Sequence, residues 1–225
     1  MLLAAGSGRR LGLGVPKALC LLDGVPLLAW AAGALRDSGM IDQLVVVAPA
    51  GAMPAAREVL DACLPGHHAL LVDGAGSRHG SLHRGLAALD RRVRTVVVHD
   101  ASRPLAPVDL VVRVLAAVRG GADLAVPVVA LSETVKELDA SGLVARTVSR
   151  EALVRLQTPQ AVRRELLAGA HADCSVAQVV ADEGGPLAPG TRMSTVDGDE
   201  DGFPVVWPGD LAYAEAVLAS RRVAR

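Results

Sequence analysis

LLAAGSGRRLGLGVPKAL, residues 2–19, places a glycine-rich loop directly after a short apolar run that predicts a β-strand. Gly6 and Gly8 lack side chains, so backbone N–H groups can approach and surround phosphate oxygens there. Arg10 and Lys17 add positive charge to the same loop. The spacing matches neither the phosphate-loop pattern GxxxxGKS/T nor the GxGxxG dinucleotide pattern. A simple turn would account for the glycines alone, but the two cations favour an anion-binding site.

Outward from this loop, short apolar runs alternate with segments of helical periodicity, which is typical of βαβ units and a parallel sheet. The pattern predicts an α/β fold in a single domain over residues 1–225. The predicted strands are 2–5, 44–48, 69–72, 95–98 and 122–128, and the predicted helices are 26–38, 55–63, 78–89, 107–118, 163–169 and 208–220.

Residues 131–150 break the alternation and predict a β-hairpin. The strand-like segments ETVKEL and LVARTVS are separated by the turn-forming residues 139–142. Few of their side chains could face a core, and a lone hairpin is marginally stable, so we expect this arm to pack on a second subunit. The acidic, Gly- and Pro-containing stretch 181–203 predicts a loop.

Composition excludes several classes of protein. The net charge of −1 and the four aromatic residues argue against nucleic-acid binding. No apolar stretch reaches the roughly 20 residues of a membrane span. Cys20, Cys63 and Cys174 are odd in number and lack CxxC spacing, which argues against disulfides and structural zinc. The sequence therefore predicts a cytoplasmic protein.

Three weaker candidates are better explained by structural roles. His79 and His83 lie four residues apart on a predicted helix, but no third metal ligand accompanies them at a typical spacing. The acidic run 197–201 lacks the EF-hand pattern and predicts a solvated loop. His99 should point away from any site used by Asp100, because adjacent strand residues face opposite sides.

Four further motifs follow in order: DGAGSRHGSLHRGL at 73–86, VVVHDASRPL at 97–105, PVVALSETVK at 127–136 and LQTPQAV at 156–162. Together with the glycine-rich loop they resemble the 2-C-methyl-D-erythritol 4-phosphate cytidylyltransferases, which belong to the sugar nucleotidyltransferases. The resemblance extends from residue 2 to about 170. It implies a three-layer, modified Rossmann, mostly parallel sheet with a hairpin arm exchanged in a homodimer.

The resemblance also implies the reaction and its residues. CMP would pass from CTP to 2-C-methyl-D-erythritol 4-phosphate, in the non-mevalonate route to isoprenoid precursors, releasing pyrophosphate. Arg10 and Lys17 would stabilise the transition state, and Asp100 would help to hold Mg²⁺. CTP would contact Ala4, Ala5, Gly6, Gly8, Gly74, Ala75, Ser81, Asp100 and Ala101. The acceptor would contact Arg103, Thr134, Arg150 and Thr158, with Thr134 and Arg150 coming from the partner's hairpin.

The C-terminal quarter departs from the family pattern. ADEGG at 181–185 replaces a TDDAS-like segment, and Pro204 stands where relatives carry a lysine that positions the substrate phosphate. Either another cation such as Arg192 substitutes, or the chain is a divergent homologue. Three alternatives stay open: another sugar-alcohol phosphate as acceptor, transfer of a different nucleotide such as GMP or UMP, and a catalytically weak nucleotide-binding dimer.

Overall fold

The computed structural model describes residues 1–168 and 190–223. The strands are β1 Leu2–Leu3, β2 Leu21–Leu22, β3 Val25–Pro26, β4 Leu44–Ala48, β5 Ala69–Asp73, β6 Thr95–Asp100, β7 Leu124–Ala130, β8 Val135–Leu138, β9 Val144–Val148, β10 Val154–Leu156, β11 Gln160–Arg163 and β12 Met193–Asp197. The helices are α1 Leu27–Asp37, α2 Met53–Cys63, α3 Arg78–Ala88, α4 Val108–Arg119, α5 Arg164–Ala168 and α6 Pro208–Val223.

The main sheet runs in the order β10-β7-β11-β6-β1-β4-β5, with β12 added beside β7. The pairs made by β1, β4, β5 and β6 are parallel, and β12 is also parallel to β7. β11 runs antiparallel to both β6 and β7, and β10 antiparallel to β7. The sheet is therefore mixed, with a parallel half that carries the glycine-rich loop.

Both faces of the sheet are buried, which is why its strands are continuous Val-rich runs. Val46 and Val97 face α1, α2 and α4, whereas their neighbours Val45, Val47 and Val98 face α3 and α5. Successive strand residues point to opposite faces, so one run of valines serves two helical layers. The expected three-layer α/β architecture is confirmed.

A third apolar cluster joins the C-terminal helix to the N-terminal loop. Ala214, Val217 and Leu218 of α6 pack with Leu11 and Leu22. Residues distant in sequence are thus brought beside the glycine-rich loop. No helix within 1–168 and 190–223 has both the length and the apolar character that a membrane crossing needs.

The hairpin over 131–150 is confirmed as β8 and β9, in which Val135 pairs with Val148 and a turn closes at Asp139. Leu138, Leu143 and Val144 are exposed along it. Their exposure fits the expectation that the arm needs a partner, which stays a prediction.

The sequence interpretation was wrong about the stretch around 193–197, where β12 lies inside the predicted loop. The segment MSTVD is short, and what makes it a strand is its pairing with β7, some 70 residues earlier in the chain. The strands β10 and β11 were missed for the same reason. The interval 181–185 and Cys174 lie outside the described residues.

Candidate active site

The glycine-rich loop closes on itself after β1. Lys17 N–H donates to the Gly6 carbonyl at 3.1 Å, so the two ends of the loop meet. Gly8 has φ +70°, and a Cβ there would lie 2.9 Å from the Val15 carbonyl oxygen and 3.0 Å from Lys17 N. Any other residue would push the loop open. The loop geometry therefore depends on Gly8.

A cavity of about 610 Å³ opens beside this loop, at the carboxyl ends of β1 and β6. Ligands of α/β sheets bind at such ends. The lining includes most of the predicted site residues: Ala4, Ala5, Gly6, Arg10, Lys17, Ala75, Ser81, Asp100, Ala101 and Arg103. The structure thus brings three separated motifs, at 2–19, 73–86 and 97–105, to one place.

Two predicted nucleotide contacts lie behind the lining and shape it. Gly8 allows the loop to close, because a Cβ there would meet the backbone of Val15 and Lys17. Gly74 donates its N–H to Ala48 at 2.7 Å, and a Cβ on Gly74 would lie 2.4 Å from the Ala5 side chain. These glycines allow the two loops to approach each other closely.

The charge of the cavity is strongly positive although the chain carries a net −1. Asp100 is the carboxylate among the described lining residues, and it faces five cations: Arg9, Arg10, Lys17, Arg78 and Arg103. Such a local excess attracts a polyanion without a basic surface elsewhere. It also provides fixed charge for an anionic transition state.

Lys17 is half-buried, as are Arg78 and Arg103 of this group. Burial lowers the pKa of Lys17 from its ordinary value, and Arg10 lowers it further, whereas Asp100 acts in the opposite direction. A partly desolvated ammonium interacts more strongly with an incoming anion. Binding of that anion in turn favours the charged form of the lysine.

Asp100 pairs with Arg78 across the cavity, with Nη1 and Oδ1 2.7 Å apart. Arg78 begins α3, whose N-terminus is capped by Ser77 accepting from Gly80 N–H. Ser81, on the first turns of the same helix, accepts the Ala75 N–H at 3.0 Å. Arg78 lay within a quoted motif, but sequence reasoning gave it no role, because its pairing with Asp100 depends on the sheet.

Thr158 is not in the cavity lining within this chain, so its predicted contact with the acceptor stays a prediction. Its side chain is 2% exposed, and its hydroxyl accepts the Asp100 N–H at 3.1 Å. The same oxygen lies 2.9 Å from His99 Nδ1. The buried hydroxyl of Thr158 therefore fixes the backbone at the carboxyl end of β6.

His99 points away from the cavity, as predicted, and is 1% exposed. Burial lowers its pKa to about 3, and the nearby Arg103 contributes to this shift. The imidazole is consequently neutral in the folded protein at ordinary pH.

Arg103 lines the cavity and also fixes its wall. Its guanidinium donates to the carbonyls of Gly202 at 2.8 Å and Leu156 at 3.1 Å. Thr134 and Arg150 are exposed on the hairpin segment and lie outside the lining within this chain. Their predicted contact with the acceptor needs a partner's cavity and stays a prediction.

The departing segment forms part of the site, because Pro204 and Val206 both line the cavity. Arg192, the suggested substitute for the family lysine, was a wrong choice. It precedes β12 and pairs with Asp123, which precedes β7. β12 and β7 are parallel, so Arg192 lies at the amino-terminal edge of the sheet, opposite the cavity.

The weaker candidates have structural partners. His79 and His83 contact each other, with their Nε2 atoms 2.9 Å apart. In the acidic run, Asp199 caps a short turn by accepting from Asp201 N–H, and Asp201 pairs with Arg221 at 2.7 Å. No cluster of three or more His, Cys, Asp or Glu ligands occurs in the part of the chain that the structure describes.

Comparison with known proteins assigns the fold and site to a family. A family model described as 2-C-methyl-D-erythritol 4-phosphate cytidylyltransferase matches residues 1–220, so the likeness extends beyond residue 170. A protein of that name from Frankia casuarinae is 44% identical over 216 residues, covering 96% of this chain and 79% of the relative. Another from Streptomyces avermitilis is 42% identical, covering 98% and 91%.

Solved structures agree. The 2-C-methyl-D-erythritol 4-phosphate cytidylyltransferase of Thermus thermophilus superposes with a TM-score of 0.75 at 31% identity, covering 97% of both chains. The 4-diphosphocytidyl-2C-methyl-D-erythritol synthase of Anaerococcus prevotii has a TM-score of 0.78 at 22% identity and covers 97% of this chain and 96% of its own; at that identity it supports the fold alone.

Replacing Gly8 by Ala should damage the loop more than the same change at Gly14. Both residues have φ near +70°, so both substitutions carry the left-handed backbone cost of about 1–2 kcal/mol. Only at Gly8 does the new Cβ meet backbone atoms; at Gly14 nothing lies within 4 Å. We expect Gly8→Ala to weaken CTP binding roughly tenfold or more, and Gly14→Ala less than about threefold, by calorimetric titration. Equal affinities would contradict this account.

His99 should make the protein sensitive to acid. Its folded pKa of about 3 lies below the ordinary 6.5, so the unfolded chain takes up a proton that the folded chain does not. Stability is fully present above pH 6.5 and falls by about 1.4 kcal/mol per pH unit below it. Urea unfolding of His99→Gln between pH 6.5 and 4 should show a shallower slope than the parent. The control His68→Gln, altered in an exposed loop, should keep the parent's slope; a parent-like slope in His99→Gln would exclude this role.

Proposed function

The chain belongs to the 2-C-methyl-D-erythritol 4-phosphate cytidylyltransferase family, and we propose that the cavity beside its glycine-rich loop binds CTP and carries the reaction. The protein is a nucleotidyltransferase that transfers CMP from CTP to 2-C-methyl-D-erythritol 4-phosphate in isoprenoid biosynthesis. The observation that supports this location is the convergence of five cations on a single cavity at the carboxyl edge of the sheet.

The chemistry explains the charge. A phosphate oxygen of the acceptor attacks the α-phosphorus of CTP, and the bond from that phosphorus to the bridging oxygen breaks, releasing pyrophosphate. Both reactants are anions, and charge develops on the pentacoordinate phosphorus, so catalysis consists of positioning and electrostatic stabilisation. Arg10 and Lys17 act as these stabilisers, and the closed loop holds Lys17 against the bare backbone at Gly6.

The nucleotide contacts follow from the loops around the cavity. Gly6, Ala4 and Ala5 present backbone after β1, and Ala75, Ser81 and Ala101 approach from β5, α3 and β6. In this proposal Gly8 and Gly74 do not line the cavity themselves. They shape it by allowing the surrounding loops to approach closely.

Enzymes of this family depend on a divalent metal, and we assign Mg²⁺ to Asp100. Mg²⁺ uses one or two carboxylates together with substrate phosphates and water. Asp100 is the one carboxylate among the described residues of the lining and lies within ion-pair distance of the Arg78 cation, which suits a metal held mainly by the nucleotide. When bound, such a metal would supply positive charge to the phosphate oxygens of the nucleotide. Asp100 would orient it, and the hydroxyl of Thr158 holds the backbone of Asp100 in place.

The acceptor binds beside Arg103, and the hairpin over 131–150 completes its site in a homodimer. Three observations support the dimer: the arm exposes Leu138, Leu143 and Val144, Arg150 lies outside the lining of its own chain, and Thr134 is exposed beside it. We also place the enzyme in the cytoplasm, which is consistent with an odd number of cysteines that lack CxxC spacing.

Pyrophosphate release tests the function directly. The protein with CTP and Mg²⁺ should release pyrophosphate only when 2-C-methyl-D-erythritol 4-phosphate is added, and other sugar-alcohol phosphates and nucleotides define its selectivity. Lys17→Ala should lower the rate by roughly a hundredfold or more, since it removes a half-buried cation assigned to the transition state. Lys136 is the other lysine of the chain, and Lys136→Ala should leave CTP affinity unchanged. No release with any pair, or an active Lys17→Ala, would exclude these assignments.

Mixing inactive variants tests the shared site. If Lys17 and Arg150 of one site come from different protomers, co-expressed Lys17→Ala and Arg150→Ala chains should regain roughly a quarter of the parent's activity, because half the dimers carry one intact site. Arg10→Met mixed with Lys17→Ala is the control, since both residues come from one protomer and no intact site can form. No recovery in the first mixture, or recovery in the control, would rule out the exchanged arm.

A further inference from the structure

Trp207 lies against Arg10, the exposed cation of the catalytic pair. The Cζ atom of Arg10 is 5.7 Å from the centroid of the indole ring. This distance is within the range of cation–π attraction, for which tryptophan is the strongest aromatic partner. The ring is 55% exposed, so it does not belong to the core that holds α6 in place.

The backbone that carries Trp207 is rigidly held. The Asp210 carboxylate accepts the N–H groups of Val206 at 2.7 Å and of Trp207 at 2.8 Å. These bonds fix the start of α6, in the manner of a helix cap. The indole is thus presented from a fixed position at the rim of the cavity.

The side chain of Arg10 is free to change its conformation, although its backbone is held in place. Its long side chain is exposed and, among residues 1–168 and 190–223, makes no hydrogen bond or ion pair. Its neighbour Leu11 is buried in the same apolar cluster as α6. The two backbones are therefore fixed relative to each other, and the ring is the group that can orient the guanidinium.

From this geometry we infer that Trp207 is a positioning residue for the reaction: its indole ring holds the Arg10 guanidinium over the cavity. The ring stands three residues after Pro204, in the segment that lacks the lysine of the family pattern. With no cation in that segment, the orientation of Arg10 matters more to the phosphates it faces. The inference rests on the proposed function of the cavity.

A double-mutant cycle between Trp207 and Arg10 tests it. Trp207→Leu keeps an apolar side chain without the π face and should lower kcat/KM roughly two- to fivefold, the size of an exposed cation–π contact. Trp207→Phe should restore most of this loss. In an Arg10→Met background, Trp207→Leu should have no further effect, because the group that it positions is gone. CTP affinity, measured by calorimetry in the same four proteins, should show the same coupling.

Tyr213→Leu is the matched control. Tyr213 is an equally exposed aromatic residue on α6, but it packs on Phe203, at 5.0 Å between ring centroids. Its effect should be the same with Arg10 present or absent. Additive losses for Trp207→Leu and Arg10→Met in both measurements would overturn the inference. Coupled CTP affinities without turnover in the parent would instead uphold it and refute the proposed catalytic function.

Discussion

The site depends on one short hydrogen-bonded closure, in which Lys17 N–H meets the Gly6 carbonyl across a turn that Gly8 allows. Without this hydrogen bond, the loop would not be held back against the end of β1. With it, a lysine sixteen residues from the chain's first residue stands beside backbone N–H groups and opposite Asp100. Electrostatics that are weak in the whole molecule, at a net charge of −1, become strong here because they are concentrated and partly desolvated.

Because both faces of the sheet are buried, the closed loop and its cavity lie at the carboxyl edge of the sheet. Since Val46 and Val97 serve one helical layer and Val45 and Val98 the other, neither face is free for ligand, and the carboxyl edge is what remains. The same burial constrains the polar groups beneath the edge. His99 is kept neutral by its surroundings, and the hydroxyl of Thr158 serves both His99 and the Asp100 backbone.

The parts that could be predicted are those encoded locally or by ordered motifs. The predicted strand 44–48 coincides with β4, and the turn at 139–142 closes the hairpin as expected. Long-range pairing could not be predicted. β12 is a strand because it pairs with β7, and this pairing places Arg192 at the amino-terminal edge of the sheet, away from the cavity. The buried hydrogen bonds of Thr158 could not be predicted either, because a motif fixes a position in the chain but not which neighbours its hydroxyl meets.

The departure at Pro204 is best judged by what the cavity retains. A lysine contributes charge and a donor, and proline supplies neither. Yet the described lining still sets five cations against one carboxylate, and Lys17 is partly desolvated, which strengthens its interaction with an anion. The cavity therefore stays strongly positive although the charge of that lysine is absent. In the proposed function, the absent lysine would have directed charge toward the acceptor phosphate, so we expect turnover to depend more on the orientation of the remaining exposed cations, Arg10 among them.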